Sequence, residues 1–541
     1  MRQWLLICGL FLAACAPSVT QPIAPTLAAP TLIAPTLAAP TLAAPTLAVP
    51  TLIAPTLAAP TPTRSPEPPP TVTSAPPRAP IALAPYRAAM RPEFVTDLDQ
   101  FATATQYQID LTIAPDLASY TATQRVRYTN HATTPLNAIY FRLFPNTPSY
   151  GGQLTVTTLK MNGVEALPIS ELGYSALRLP IEPPLPIGAV VDFEFAYVTT
   201  VPTRSVAAGY NQFGLFNGVL ALPNFYPQIP VYDDEGWNVE LAPGIGDAVF
   251  SASALYQVNI RAPQDQIVVT SGTCASQAAP AGQQFQRCVS GPMRDFMIAL
   301  SADFQGVSQA VDGIQINSYY LAKNAAAGRR GLNVTVNAVK SYEKRIGPYP
   351  FNELDLIETP TTAGGIEYPG LIVVAQNLYE QNPTFQESAT AHEAAHQWWY
   401  SLVGNDQVDA PWLDEALTQF TTALYYLDAY GQSGYAGYVE QGLRSRYDRV
   451  QGTDEDKRSD LPVAAYSGSE YSAIVYGKAA LFFEAVRQQV GDAKSDLWLQ
   501  TYFNAQRYGI AYEADLVQAI ETQLDAQTVT KLMEKWIRTP E

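Results

Sequence analysis

The stretch AHEAAHQWWYSLVGNDQVDAPWLDEALTQF, residues 391–420, holds two of the three histidines in this 541-residue chain. His392 and His396 are four positions apart, so on a helix both imidazoles lie on one face, one turn from each other. This spacing allows both rings to bind one Zn²⁺, and Glu393 would stand beside the ion as general base for its bound water. The alternative is a helix face that carries these residues without a metal.

A catalytic zinc ion takes three protein ligands and leaves one position open, so a third donor is needed. No histidine follows His396, which leaves a carboxylate as the local donor. Eighteen residues separate His396 from Glu415, which lies in the first turn of the next predicted helix, and Asp414 and Asp409 are competing donors. The sequence thus predicts a site for one Zn²⁺ with its third ligand drawn from these acids.

The segments around this stretch have the periodicity of an α+β domain. Helices are predicted over about 384–403 and 411–430, ending before Gly404 and Gly431, and over about 471–490, ending before Gly491. Leu354–Glu358 and Leu371–Ala375 are apolar runs typical of strands.

The preceding region, from about residue 94 to 303, mostly alternates with a period of two. Four runs show this pattern, and Asn, Pro, Gly and Thr separate them: 107–113, 123–129, 138–143 and 190–197. The pattern predicts an antiparallel β-sandwich or a large antiparallel sheet. His131, the third histidine, follows the second run and is expected in a solvent-exposed turn.

The N-terminal residues are expected to lie outside the fold. Residues 1–15 read as a signal peptide ending in Leu-Ala-Ala-Cys, which resembles a bacterial lipobox whose Cys15 is lipidated after cleavage. An unmodified cysteine after an ordinary signal peptide is the alternative. Residues 16–85 repeat a Pro-Thr-Leu-Ala unit and continue in Pro, Thr, Ser and Ala, a composition typical of a disordered spacer. We therefore expect an extracytoplasmic protein anchored to the membrane.

Cys274 and Cys288 remain once the leader and Cys15 are set aside. Apolar runs at 266–271 and 293–302 flank them, which suits two strands joined by a long turn that carries both cysteines. Outside the cytoplasm such a pair favours a disulfide over a metal site or two free thiols.

The charge balance limits the partners. The chain has 49 acidic against 32 basic residues and a formal net charge of −17, which disfavours sequence-independent binding to nucleic acid. Neutral or cationic ligands suit such a surface.

Several motifs together resemble the aminopeptidase N family of thermolysin-like gluzincins, which includes the leukotriene hydrolase. HEAAH and WLDE at 412–415 are spaced as in that family, and GGIEY at 364–368 is similar to its Gly-x-Met-Glu-Asn exopeptidase motif. YSAIVYGK at 471–478 stands where the family carries its catalytic tyrosine. GPYPF at 347–351 and NFYPQ at 224–228 are further similarities.

The resemblance implies a role for each matching residue. His392, His396 and Glu415 would bind the zinc ion, while Glu393 activates water and Tyr476 stabilises the oxyanion. Glu367, with Gly364 and Gly365 beside it on a sheet edge, would bind the free α-ammonium of a peptide that adds as a strand. Tyr471 is a weaker substrate-contacting candidate. These are the residues that the resemblance implies for the site.

The chain departs from the family pattern at Ile366, Tyr368 and Ala416, which stand for its methionine, asparagine and glycine. A zinc endopeptidase, or an exopeptidase of altered specificity, is therefore the alternative enzyme, and a non-catalytic binding protein is the alternative from another class. The family's large C-terminal helical domain has no counterpart before Glu541, so a more open cleft is expected.

The predicted organisation has four segments: leader 1–15, linker 16–85, β-rich domain 86–310 and thermolysin-like catalytic domain 311–541. The predicted function is that of an aminopeptidase acting on peptides with a free N-terminus. No feature of the sequence indicates the oligomeric state.

Overall fold

The computed structural model describes residues 81–207, 209–241, 243–246 and 249–540. The predicted leader, Cys15 and nearly all of the predicted linker lie outside the described residues. The last linker residues, 81–85, are among the described residues. Ile81 is buried against the core, and so is Tyr86, the first residue of the predicted β-rich domain. Among the described residues, no helix combines the length and apolar character needed to cross a bilayer.

The β-rich part begins with two short 3₁₀ helices, Ala84–Ala89 and Pro92–Phe101. Its strands are β1 (Gln106–Ile113), β2 (Ser119–Thr129), β3 (Leu136–Arg142), β4 (Gln153–Met161), β5 (Val164–Glu165), β6 (Ile169–Glu171), β7 (Ala176–Leu185), β8 (Val190–Thr200), β9 (Gly214–Phe216), β10 (Val219–Leu222), β11 (Leu255–Pro263), β12 (Ile267–Thr270), β13 (Thr273–Gln277), β14 (Gln283–Val289) and β15 (Ile298–Ser301). The four alternating runs of the sequence are β1, β2, β3 and β8, which confirms those strands.

These strands form three sheets. The largest has eight strands in the order β13-β14-β11-β1-β2-β8-β4-β5, and the others have the orders β12-β15-β10-β9 and β3-β7-β6. Pairing is antiparallel except between β1 and β11, which run parallel. Along β2, alternate residues are buried from Tyr120 to Tyr128, as the period of two predicts.

The region around the cysteines folds differently from the prediction. β12 and β15, the two apolar runs, do pair with each other. However, the segment between them is not a long turn, because it forms a second hairpin, β13 and β14, that joins the eight-stranded sheet. Cys274 and Cys288 face each other across this hairpin and form a disulfide.

The C-terminal part has a five-stranded sheet in the order β16-β17-β18-β20-β19, packed against helices. The strands are β16 (Phe304–Val311), β17 (Ile314–Leu321), β18 (Glu353–Thr359), β19 (Gly365–Ile366) and β20 (Leu371–Ala375). The helices are α1 (Ala325–Arg345), α2 (Gln376–Gln381), α3 (Pro383–Ala395), α4 (Glu415–Tyr438), α5 (Ser445–Tyr447), α6 (Gly468–Ala473), α7 (Ala480–Val490), α8 (Asp492–Gln506), α9 (Glu513–Glu521) and α10 (Ala526–Met533). Because β16 belongs to this sheet, the C-terminal part begins before the predicted boundary at residue 311.

Helix ends near the predicted site differ from the sequence prediction. α3 ends at Ala395 rather than near Val403, and His396 is its C-cap residue. Gly404 is not a helix-ending glycine: a Cβ there would lie 2.0 Å from Cζ of the buried Arg294, so its small size admits that side chain. α4 begins at Glu415 rather than at Pro411, and at Gly431 the backbone leaves helical geometry with φ 69°, so Glu415–Tyr438 is two helices joined at the predicted glycine.

The predicted third helix is divided into three segments. α6 begins after a capping box formed by Ser467 and Glu470. A π-helical turn, Ile474–Ala479, then separates α6 from α7, and Gly491 ends α7 with φ 79°. A second π-helical turn, Val439–Arg444, follows α4 and packs against the first one. π-turns inside helices are frequent at functional sites.

Candidate active site

Three buried side chains from α3 and α4 converge on one point. Nε2 of His392 lies 3.1 Å from Nε2 of His396. Oε2 of Glu415 lies 3.2 Å from the first nitrogen and 3.4 Å from the second. The turns of residues 396–414 return the chain so that the first residue of α4 faces the C-terminal end of α3. The structure therefore brings together the three residues predicted as metal ligands.

This arrangement fits a zinc ion. A tetrahedral ion at about 2.0–2.1 Å from each donor sets its donors about 3.3–3.4 Å apart, close to the three distances above. Oε2 of Glu415 is buried and accepts no hydrogen bond. Burial opposes its ionisation, but the two adjacent imidazoles hold the pKa of Glu415 well below its usual value. A buried carboxylate with a free oxygen is the donor that a cation requires.

The structure also fixes the orientation of the second histidine. Nδ1 of His396 lies 2.9 Å from the carbonyl oxygen of Trp399 and 3.2 Å from Oγ1 of Thr418. A hydrogen bond from Nδ1 to the carbonyl leaves Nε2 unprotonated, as a metal ligand must be. Of the competing donors, Asp414 accepts hydrogen bonds from Gln407 and from the backbone of Glu415. Asp409 is solvent-exposed, so neither acid joins the cluster.

Glu393 is held against the edge of the five-stranded sheet. Its carboxylate packs on the backbone of Gly365 so closely that a Cβ there would lie 2.2 Å from Oε1. Burial raises the pKa of Glu393 well above its ordinary value. A carboxylate that binds a proton more readily in this environment suits a general base.

The predicted ammonium-binding residue lies on the same side of the site. Glu367 lies near Glu393 and His396. Each of these residues offers one donor atom, and the three atoms lie within 4.8 Å of one another. Burial raises the pKa of Glu367, and Nε2 of Gln407 donates to its Oε1 at 2.7 Å. Gln397 holds the adjacent backbone by contacts with the carbonyls of Glu367 and Tyr368. The result is a rigid anionic group next to the three donors.

The residues before Glu367 form the outer strand of the sheet. β19 pairs with β20 alone in the sheet order, so its other edge has no strand partner among the described residues. Gly364 and Gly365 both line the cavity at this edge. An extended peptide can add to such an edge through its main chain.

The two predicted tyrosines pack together beside the metal-binding donors. The hydroxyl of Tyr476 donates to Oε1 of Glu415, and its ring stacks on that of His392 with centroids 5.9 Å apart. Tyr471 packs edge-on against Tyr476 at 5.6 Å. Both line the cavity, which has a volume of about 390 Å³ and also contains Glu367, Glu393 and His392.

Comparison with known proteins agrees with this geometry. Residues 330–536 match the peptidase family M1 domain. That segment of the chain is a domain of peptidase family M1. The M1 domain contains every predicted metal-binding and catalytic residue, and the recognition drawn from the motifs is confirmed.

Two proteins named as aminopeptidases and a solved M1 zinc metallopeptidase are similar to this chain. Aminopeptidase M1 of Arabidopsis thaliana is 23% identical over 353 residues, 60% of this chain and 40% of that protein. Probable aminopeptidase 1 of Saccharolobus solfataricus is 26% identical over 269 residues, 46% of this chain and 33% of that protein. The chain thus spans less than half the length of these relatives. A solved M1 zinc metallopeptidase from Deinococcus radiodurans has the same fold, with a TM-score of 0.61 at 18% identity, covering 81% of this chain and 94% of that one.

Sequence reasoning missed several residues around the M1 site. Gln397 and Gln407 support Glu367, but glutamines carry no motif signal of their own. Tyr400 lines the cavity with φ 121°, which is rare for a bulky residue, and donates to Oδ2 of buried Asp295 at 2.5 Å. Its place four residues after His396 was the only available signal. Arg446 also lines the cavity, although it lies far from every motif.

Proposed function

We propose that the protein is a zinc-dependent aminopeptidase that releases N-terminal residues from peptides. The observation that carries the proposal is the position of Glu367 beside the metal-binding donors. In a peptide, the terminal nitrogen and the first carbonyl carbon are only about 2.5 Å apart, from the two bond lengths and the angle between them. An ammonium held by Glu367 therefore places the first peptide bond next to His396 and Glu393, which favours removal of one residue.

The residues of the chain supply the remaining steps. Zinc, held by His392, His396 and Glu415, would polarise the scissile carbonyl and lower the pKa of the attacking water. Glu393 takes the proton of that water and passes it to the leaving amine as the C–N bond breaks. Tyr476, whose hydroxyl donates to Glu415 in this structure, would turn that hydroxyl to the oxyanion, a contact that contributes about 3–4 kcal/mol in comparable sites.

The names of the similar proteins support the proposal, since the M1 relatives above are aminopeptidases. A zinc endopeptidase is the alternative, because Ile366 and Tyr368 replace two residues of the exopeptidase motif. The test compares aminoacyl fluorogenic substrates with free and with acetylated N-termini on zinc-loaded protein. An aminopeptidase cleaves only the free series, whereas equal cleavage of both would overturn the proposal and favour the endopeptidase. No cleavage of either series would instead support the alternative of a non-catalytic binding protein.

Two variants test the assigned roles. Glu393→Gln should keep its zinc content, measured by metal analysis, and lose activity by about 10²–10⁴-fold. Full activity in this variant would contradict the base role. Glu367→Ala should raise KM for short unblocked peptides, and an unchanged KM would contradict ammonium binding.

We also propose that Cys15 carries a lipid that anchors the mature protein outside the cytoplasm. The Leu-Ala-Ala-Cys sequence and the proline-rich spacer support this proposal. A single-residue Cys15→Ser variant should lose its lipid and leave the membrane fraction. Retention of that variant in washed membranes would refute the anchor.

A further inference from the structure

Arg446 places a positive charge in the wall of the cavity. Among the described residues that line it, Arg446 is the sole lysine or arginine, whereas Glu367 and Glu393 are both acidic. Arg446 is half-buried and belongs to α5, directly after the π-helical turn Val439–Arg444. None of the assigned steps uses this guanidinium.

The position of Arg446 is fixed by its neighbours. Its NH1 nitrogen donates to Oγ of Ser472 at 2.9 Å, and its Cζ lies 5.6 Å from the ring centroid of Tyr476. The backbone of Gly477 packs closely against Arg446, because a Cβ on Gly477 would lie 3.1 Å from Cβ of Arg446. Within the described part of the chain, no carboxylate comes within ion-pair distance of Arg446. It is thus a preorganised cation without an anionic partner of its own.

Arg446 and Glu367 contact different residues around the metal-binding donors. Glu367 groups with His396 and Glu393 within 4.8 Å. Arg446 instead contacts Tyr476, whose ring stacks on His392. A peptide whose ammonium lies at Glu367 and whose first carbonyl lies at the donors extends its remaining residues along the same cavity, which Tyr476 and Arg446 also line.

We infer that Arg446 binds the C-terminal carboxylate of short peptides, so that dipeptides and tripeptides are the preferred substrates. The inference rests on the proposed aminopeptidase function and names its substrate class. Each residue beyond the cleaved bond adds at most about 3.8 Å between Cα atoms. The hydroxyl of Tyr476 contacts Glu415, and its ring lies 5.6 Å from the guanidinium, so one or two leaving residues are long enough to extend from the donors to Arg446. A planar fork of donors is suited to a carboxylate, which it can bind through two hydrogen bonds.

The experiment compares kcat/KM for pairs of di- and tripeptides that differ only in a free or an amidated C-terminus. Wild-type protein should prefer the free acids by about tenfold or more, as expected for hydrogen bonds between charged groups. Arg446→Gln should abolish this preference by lowering kcat/KM for the acids alone. Arg446→Lys, which keeps the charge but not the fork, should restore part of it.

Arg449→Gln is the matched control, because Arg449 also reaches Oγ of Ser472, at 3.4 Å, but does not line the cavity. It should keep the wild-type preference. Equal rates for acids and amides in wild-type protein would overturn the inference, and so would a preference that survives Arg446→Gln. Aminoacyl fluorogenic substrates lack the carboxylate and therefore report on the aminopeptidase function alone. If wild-type protein and Arg446→Gln both cleave them, a failed acid-against-amide comparison contradicts only the role of Arg446 and not the aminopeptidase function.

Discussion

Gly365 is predicted to control the position of the general base. A Cβ on Gly365 would lie 2.2 Å from Oε1 and 2.5 Å from Cδ of Glu393, whereas ordinary contact begins at 3.4 Å. In Gly365→Ala, the carboxylate or the strand must therefore move by about 1.2 Å, the difference between 3.4 and 2.2 Å. A displacement of about 1 Å at a catalytic group lowers the rate by roughly a hundredfold, or about 2.7 kcal/mol in activation free energy.

The neighbouring glycine provides the control. A Cβ on Gly364 would meet only the ring of Phe385, at 3.7 Å, which is an ordinary contact. We expect Gly365→Ala to lose about a hundredfold in kcat on a free aminoacyl substrate while it keeps its zinc, and Gly364→Ala to lose far less. Activity of Gly365→Ala within about twofold of wild type, or an equal loss in both variants, would refute the reasoning that the missing Cβ makes room for Glu393.

Three further predictions concern stability. Removing zinc with a chelator should lower the melting temperature, and zinc at about a hundred times its Kd should restore about 2.7 kcal/mol; equal melting curves would argue against a metal in the buried triad. Gly404→Ala should destabilise the fold by about 1–3 kcal/mol in urea titrations, because its Cβ would lie 2.0 Å from Cζ of Arg294. A neutral result would mean that Arg294 is free to move. Replacing Cys274 and Cys288 by alanine should remove about 3 kcal/mol, as expected for a disulfide that closes a loop with a sequence separation of 14. An unchanged midpoint in non-reducing urea would count against that estimate.

Local patterns predicted the parts of the fold that local physics determines. The period of two in β1, β2, β3 and β8 follows from one buried face, so the alternation alone located them. The histidine pair was predictable for the same reason, because its spacing matches one helical turn. Helix ends near the site were not predictable, since tertiary contacts decide them: His396 ends α3 where its ring bonds the carbonyl of Trp399.

The site residues that escaped prediction act through contacts between distant segments. Gln407 is ordinary in sequence, and its importance arises only where it bridges Glu367 and Asp414. Tyr400 likewise depends on Asp295, which lies in the β-rich part. Such pairs join elements far apart in the chain, and no periodicity or short motif records them.

The contacts of Arg294 limit how the M1 domain can be separated from the β-rich part. It lies in the β-rich part, yet its guanidinium donates to the main-chain carbonyls of Tyr400, Leu402 and Gly509 in the M1 domain. In an excised M1 domain, the carbonyls of Leu402 and Gly509 keep the backbone N–H donors of Tyr508 and Gly404, but the carbonyl of Tyr400 loses the donor that Arg294 supplies. An unsatisfied buried group costs about 1–3 kcal/mol. Joining the peptidase sequence to another protein therefore also requires a donor that reaches the carbonyl of Tyr400 from outside the domain.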